Sequence, residues 1–470
     1  TLPRMRITPP ASALSAAILP LVAVSAATPA LFAAAPAGMP DDSVARELAS
    51  LRHELAELRS QQSDAWLTEE RAAEVRAIVA DVLADARTRT TLLSDGATAG
   101  YDTAQGGFFL RSADGGTSAT LSVLQQVRWT FNSRNGTIPP FLGTNETHGF
   151  QNKRTRLAVA GNVVDPSWSY KIAYYFDYTG DPEFYTAPFV PANGPVLADA
   201  WIAKDLGNGF TVTAGQFQSA HNASLEIDAG NLQFIDRSTV AYYFNLGYTQ
   251  GVKLSWESDA LRVQALYGNG PYTQNRAFAP GSPGYEYGLG ARVDWKLAGD
   301  WRQFGDQQSW RGEGFAMRVG GAVEWDKINT PGGANAFMAT VDGAIDFGGA
   351  NLFAAGYLFD PQGDGQIPLG FELGGGVFVS DGVELVARYE YGDLDGQATS
   401  ITDNAFSAVT AGANWYFARN RAKLQGAFGY AFDPIVSGQW TKEGASNNWL
   451  QDASGEDGQW TVQAQISVSF

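Results

Sequence analysis

Residues 460–470 read WTVQAQISVSF, and apolar and polar residues alternate through them without a break. Trp460, Val462, Ala464, Ile466, Val468 and Phe470 fall on one face. Thr461, Gln463, Gln465, Ser467 and Ser469 fall on the other. A period of two is the signature of a β-strand with one apolar face and one wet face. In an open soluble sheet such a strand would be a sticky edge. A closed barrel in a membrane removes the edge and gives each face its own solvent, lipid outside and water inside.

The same alternation recurs upstream. It predicts strands at 117–132, 153–164, 168–178, 196–206, 209–218, 249–258, 260–268, 284–298, 314–326, 335–346, 349–359, 368–379, 381–392, 404–417, 419–431 and 458–470. Connections between them alternate in length. VDPS at 164–167, GNG at 207–209, SDA at 258–260, GGA at 348–350, SDG at 380–382 and ARN at 418–420 are short, whereas 133–152, 219–248 and 432–457 are long. Short turns on one rim and long loops on the other are the pattern of an outer-membrane barrel. One connection, 299–313, is long on the short-turn rim. Aromatic residues sit near strand ends, as in WSYKIAYYF (168–176) and YEYGLGARVDWKL (285–297), where they form interfacial girdles. The expected fold is all-β, a sixteen-stranded antiparallel transmembrane β-barrel over 117–470.

Ahead of the barrel, residues 1–37 combine Arg4 and Arg6 with a charge-poor stretch and a small-residue region at Ala33–Ala37, which reads as a signal peptide, with Met5 as its natural start. Residues 38–90 read as an α-helical coiled-coil extension. Leu48, Leu51, Leu55 and Leu58 follow a/d spacing, and a second helix over 69–86 carries Val75, Ile78, Val79 and Val82 on one face. Residues 91–116 read as a linker and periplasmic lead-in.

Composition narrows the function. With no Cys, thiol catalysis, disulfides and thiolate–metal sites are excluded. A net charge of −17 argues against nucleic-acid binding. A mean hydropathy of −0.17 suits a barrel, half of whose strand residues face water. Ser219, His221 and Ser224 lack a carboxylate orienter, so no enzyme is expected. His53, His148 and His221 lack ligand spacing, and no cofactor is expected. The acidic turns DPQGDG (360–365) and DLDG (393–396) lack a full calcium loop and offer at most non-specific sites for Ca²⁺ or Mg²⁺.

The coil at 44–66, GGFFLRSADG (106–115), RTRLAVAGNVVDPSWSYKIAYYFDY (154–178), the run 199–238, YGDLDG (391–396), GANWYFARNRAKLQGAFGY (412–430) and the terminal strand resemble the phosphate-selective porin O and P family. That resemblance implies a sixteen-stranded outer-membrane barrel, usually a homotrimer, passively conducting anions. It also implies that the segment Gln218–Ser238 is a third loop folded into the pore.

Period-two counting places Arg128, Arg154, Arg156, Lys171, Lys253, Arg262, Arg292, Lys296, Arg318, Arg388, Arg421 and Lys423 on the lumen face. Asp177, Glu257, Glu286, Asp294, Glu324, Asp326, Glu384 and Glu390 oppose them, leaving a basic surplus. Arg154 with Arg156, and Arg421 with Lys423, are the residues expected to guide anions. The candidate constriction loop, 219–240, carries His221, Glu226, Asp228, Asp236 and Arg237. The resulting expectation is a passive porin of the bacterial outer membrane for small hydrophilic solutes, with a modest preference for inorganic anions, phosphate among them. The alternative is a structural anchor whose periplasmic helices tether the barrel to the cell wall or to neighbouring proteins. Lipid and lipopolysaccharide would surround it.

Overall fold

The computed structural model describes residues 46–47, 49–54 and 56–57 and, from 96 to 470, all but 103–105, 137–143, 177–194, 274–283, 330–334, 363–364, 396–404, 436–439, 441–448 and 453–455. Two compact units divide the chain, Thr1–Thr88 and Arg89–Phe470. In the first, the described residues are helical and exposed. The seam residues Leu48, Leu55 and Leu58, the second helix and the signal-like stretch lie outside the described residues.

In the second unit a short hairpin, β1 (Thr98–Asp102) and β2 (Gly107–Arg111), precedes the long strands. These are β3 (Ser118–Ser133), β4 (Glu146–Val163), β5 (Asp165–Tyr175), β6 (Val196–Gly207), β7 (Phe210–Gln218), β8 (Tyr248–Glu257), β9 (Leu261–Gly268) and β10 (Tyr285–Ala298). They continue with β11 (Ala316–Ile328), β12 (Ala336–Asp346), β13 (Ala350–Asp360), β14 (Leu369–Ser380), β15 (Val383–Asp393), β16 (Ala405–Tyr416), β17 (Ala422–Ala431) and β18 (Trp460–Ser469). Each of β3–β18 pairs antiparallel with its sequence neighbour, and β18 closes on β3 from Trp460↔Ser133 to Ser469↔Leu124. The result is a closed sixteen-stranded antiparallel barrel.

Two expectations change. The linker and lead-in contain β1 and β2. β2 pairs with β3 at Phe108↔Leu121 through Arg111↔Ser118, below the point where β18 ends, so it covers an edge of β3 that would otherwise be open. The strand expected at 153–164 starts at Glu146. Gln126 faces Arg154 while Val127 faces Asn152, so Lys153 is an extra residue in a β-bulge. A bulge shifts the alternation by one residue, which hid the first part of β4.

The terminal strand shows why the faces separate. Ala464, Ile466 and Val468 are exposed on the outer surface, whereas Thr461, Gln463, Gln465 and Ser467 are buried inside. The same outer row continues through Ile172 on β5 and through Leu289, Val293, Trp295 and Leu297 on β10. Lipid supplies the partner for this apolar surface. At the GNG turn Gly207, Asn208 and Gly209 all take positive φ, at 82°, 55° and 83°, a conformation that Gly and Asn adopt most cheaply.

The inner face is not uniformly wet. Val240, Ala241 and Phe244 pack with Tyr357, Leu394, Phe406, Ile435, Trp440 and Trp449 into an apolar cluster inside the ring of strands. Because β7 and β8 supply Val240 and its neighbours through their long connection, the lumen on that side is filled by the chain itself.

Candidate functional site

The connection between β7 and β8 is held at its neck by a backbone bond from Ser219 N to Gly247 O, 3.1 Å. Gly247 takes φ 64°, and a Cβ there would meet the Tyr272 ring at 2.5 Å, so glycine permits the return to the wall. Between these residues lie α1 (Ala223–Glu226), a 3₁₀ turn (Ala229–Asn231) and α2 (Thr239–Tyr243). Asn222, Asp228 and Ser238 cap them by accepting backbone N–H bonds from Ser224, Gly230 and Ala241.

This segment lies inside the barrel and reaches strands on several sides. Asp236 is its main anchor. Its Oδ2 accepts from Arg128 Nη1 at 2.9 Å and lies 3.6 Å from Lys153 Nζ. Its Oδ1 accepts from Arg154 Nη2 at 3.0 Å and from the Tyr242 hydroxyl at 2.7 Å. Burial pushes the Asp236 carboxyl up, but Lys153, Arg154 and Arg128 together outweigh it and hold it well below the usual carboxylate range. Across the lumen, Gln233 donates to Asn351 on β13 at 2.7 Å and to Glu384 on β15, while its carbonyl accepts from Asn414 and Gln425 on β16 and β17. Lys423 donates to Leu232 O at 2.6 Å. Each buried bond is worth about 1 kcal/mol net, but leaving a partner unpaired costs more, so the network favours one docked position.

The filled side leaves space on the other. Two cavities of about 390 and 350 Å³ run between the inward segment and the wall, and both are lined by Glu226, Ile227 and Lys253. The first extends past Arg262, Asp294 and Arg318, and the second past Arg156, Lys171 and Asp199.

The sequence-predicted cations divide by what they touch. Arg128, Arg154, Arg388 and Lys423 are buried and hold the inward segment, with Arg388 donating to Asp236 O at 2.9 Å. Arg154 and Lys423 therefore do not line the open space as anion guides. Arg292 bridges Asp294 and Asp342 and lies 3.7 Å from Glu226. Lys296 pairs with Asp259 near the rim. Arg421 is exposed in the turn ahead of β17, not on the lumen wall. Arg156, Lys171, Arg262 and Arg318 face the cavities but are each within 3.0 Å of a carboxylate, of Asp228, Asp199, Glu257 and Asp342 respectively. Lys253 differs. Its nearest specific partner is the Phe217 ring, at 5.1 Å, and it makes no ion pair or hydrogen bond with a described residue.

The loop residues are similarly sorted. Asp228 is drawn down to about 2, since Arg156 outweighs the upward push of burial. Glu226 faces the cavities, and burial pushes its carboxyl up although Arg292 opposes this. Arg237 donates to the carbonyls of Ser224 and Ile227 and so stiffens the loop. His221 is buried, and burial together with Arg292 lowers it to about 3, so it carries no charge at neutral pH.

Several contributors were missed. Asp199, Asp342, Asp346 and Glu372 add carboxylates to the wall, and the alternation of β12 and β14 would have placed the last three there. With Glu226, Asp228 and Asp236 on the loop, they largely cancel the basic surplus of the simple count. Lys153 had no such signal, because only the bulge turns it inward. Asp177 lies outside the described residues, and Glu286 is exposed in a bulge beside Lys327.

Residues 122–319 match the family model described as Phosphate-selective porin O and P. That match covers less than half of the chain. Among solved structures the chain is similar to OprB of Pseudomonas putida, at 10% identity and a TM-score of 0.50, over 82% of this chain and 96% of that one. An anion-selective porin from Comamonas acidovorans gives 14% identity and a TM-score of 0.49, over 75% and 100%. The trimer form of OmpT from Vibrio cholerae gives 14% and 0.48, over 75% and 99%. No curated protein matches the chain. The likeness to OprB is one of barrel fold.

Proposed function

We propose that this chain is an outer-membrane porin that passively conducts small hydrophilic solutes with a modest preference for inorganic anions, phosphate among them. The observation that carries this reading is Lys253, a cation without an ion pair at the junction of the two open cavities. A fixed positive charge in a low-dielectric wall raises the local anion concentration. Arg156, Lys171, Arg262 and Arg318, which also face the cavities, are paired with carboxylates, so they keep the path hydrated and add little net field, which is why the preference is modest. The description of the family names phosphate, in keeping with an anionic solute.

Zero-current potential across a bilayer under a KCl gradient tests this. A weakly anion-selective potential that shrinks at high salt is expected, with only shallow block by added phosphate. A cation-selective potential refutes it.

On the resemblance, the porin assembles as a homotrimer with residues 38–90 forming a periplasmic oligomerising coil. Native mass in mild detergent should then correspond to three chains, and a mass of 50.3 kDa would exclude it. Lipopolysaccharide around the barrel and non-specific Ca²⁺ or Mg²⁺ at its acidic loops belong to the same reading. The tether to the cell wall is not favoured, since the family match lies in the barrel.

A further inference from the structure

The connection between β10 and β11 is the exception among the short turns, and it does not hang free. Asp300 and Gln303 form a capping box that starts a 3₁₀ helix, Trp301–Gly305. The Trp301 indole N–H donates to Ser258 O at 3.1 Å, and the ring lies under Arg262, 4.2 Å from centroid to guanidinium carbon. Farther along, Trp310 packs on Phe378 and Tyr416, and Ser309 accepts the N–H of Gly348 at 3.0 Å. The connection therefore touches the wall at both ends.

It also touches the inward β7–β8 segment. Asn231 Nδ2 donates to Gly305 O at 3.1 Å, Gln307 N donates to Asn231 O at 3.3 Å, and Gln233 N donates to Gln307 Oε1 at 2.9 Å. Trp301, Phe304 and Gly305 line the larger cavity together with Lys253, Arg262 and Arg318. A loop from one rim and a turn from the other thus meet in the lumen, and the open space runs past both.

We propose that residues 299–315 are a second narrowing of the channel, an inner size filter at the short-turn rim in which Phe304 and Gly305 set the width available to a permeating solute. This rests on the channel reading above and adds a residue set to it. Selection is by cross-section, because Arg262 and Arg318, the cations stacked on Trp301 and Phe304, are paired with Glu257 and Asp294. Its fixed position follows from the hydrogen bonds to Asn231 and Gln233, which tie the filter to the same segment that Asp236 anchors.

The absence of cysteine makes a clean test available. A Cβ added at Gly305 meets nothing within 4 Å, so Gly305→Cys keeps the packing. In planar bilayers, a bulky charged methanethiosulfonate reagent applied from the short-turn side should lower the current through Gly305→Cys by about half, because the adduct occupies the path. The unsubstituted protein should not respond. Phe304→Ala should raise single-channel conductance and admit larger neutral polyethylene glycols from that side. Complete modification, verified by mass, with unchanged current would overturn the filter, as would failure of the reagent to reach the introduced thiol in an open channel. A barrel that passes no current before any substitution would instead refute the channel reading itself.

Discussion

Asp236→Ala is expected to release the inward segment from β3 and β4 while leaving the barrel closed. Arg128, Lys153 and Arg154 all point at this one carboxylate, and their side chains are almost wholly buried. Removing one partner of a buried ion pair costs about 3–5 kcal/mol, because the cations left behind have neither water nor a counter-charge. That loss falls on docking of the segment. The strands keep their ladder, closed by β18 against β3, so heat-modifiable migration on a gel should persist. Conductance should rise and become noisy, and the reversal potential should move clearly toward anion selectivity as three cations gain access to water. Asp236→Asn keeps the shape but not the charge and should show the same direction more weakly. An unchanged reversal potential in a folded variant would mean that Asp236 does not hold these cations.

The pH dependence follows from the same group. The folded-state carboxyl of Asp236 is held below its ordinary value, so its contribution to docking is complete above that ordinary value of about 4 and fades only as pH falls through the lowered one. Asp228, at about 2, behaves alike. The segment should therefore stay docked at pH 5, with no acid-induced rise in conductance there.

Lys253→Gln should produce the largest selectivity change of any single substitution among the cavity cations. Among the described residues it makes no direct ion pair with a carboxylate, whereas Arg156, Lys171, Arg262 and Arg318 each do. A unit charge acting on a monovalent ion at 4 Å is worth about 1 kcal/mol in water, roughly a five-fold change in local anion concentration at low salt. Lys253→Glu should double the effect and make the channel cation-selective. Arg262→Gln, which also frees Glu257, is the comparison. If it shifted the reversal potential as far as Lys253→Gln at equal salt, the distinction between paired and unpaired cations would be wrong. Both shifts should vanish toward 1 M salt, where the screening length is about 3 Å.

Much of this architecture could be read from local pattern. Alternation through Trp460–Phe470 and its earlier counterparts is a property of adjacent residues, and a strand cannot satisfy lipid and water on any other period. Strand boundaries agree closely with expectation wherever the ladder is regular. The unequal connections at 207–209 and 219–248 likewise announce two different rims, and the length of 299–313 announces its exceptional character. What alternation specifies is the side on which a residue lies. It says nothing of what stands across the lumen. Arg128 and Asp236 are 108 residues apart, and Gln233 and Gln425 are 192 apart, yet these pairs decide which half of the barrel is filled. The bulge at Lys153 adds a cation that the lumen-face count does not contain. Lys253 and Arg262 look alike on their strands, yet of the two only Arg262 forms an ion pair with a described residue, Glu257. Such distinctions arise from long-range docking of the β7–β8 segment and the 299–315 turn, whose partners are chosen through space, so only the tertiary structure could decide them.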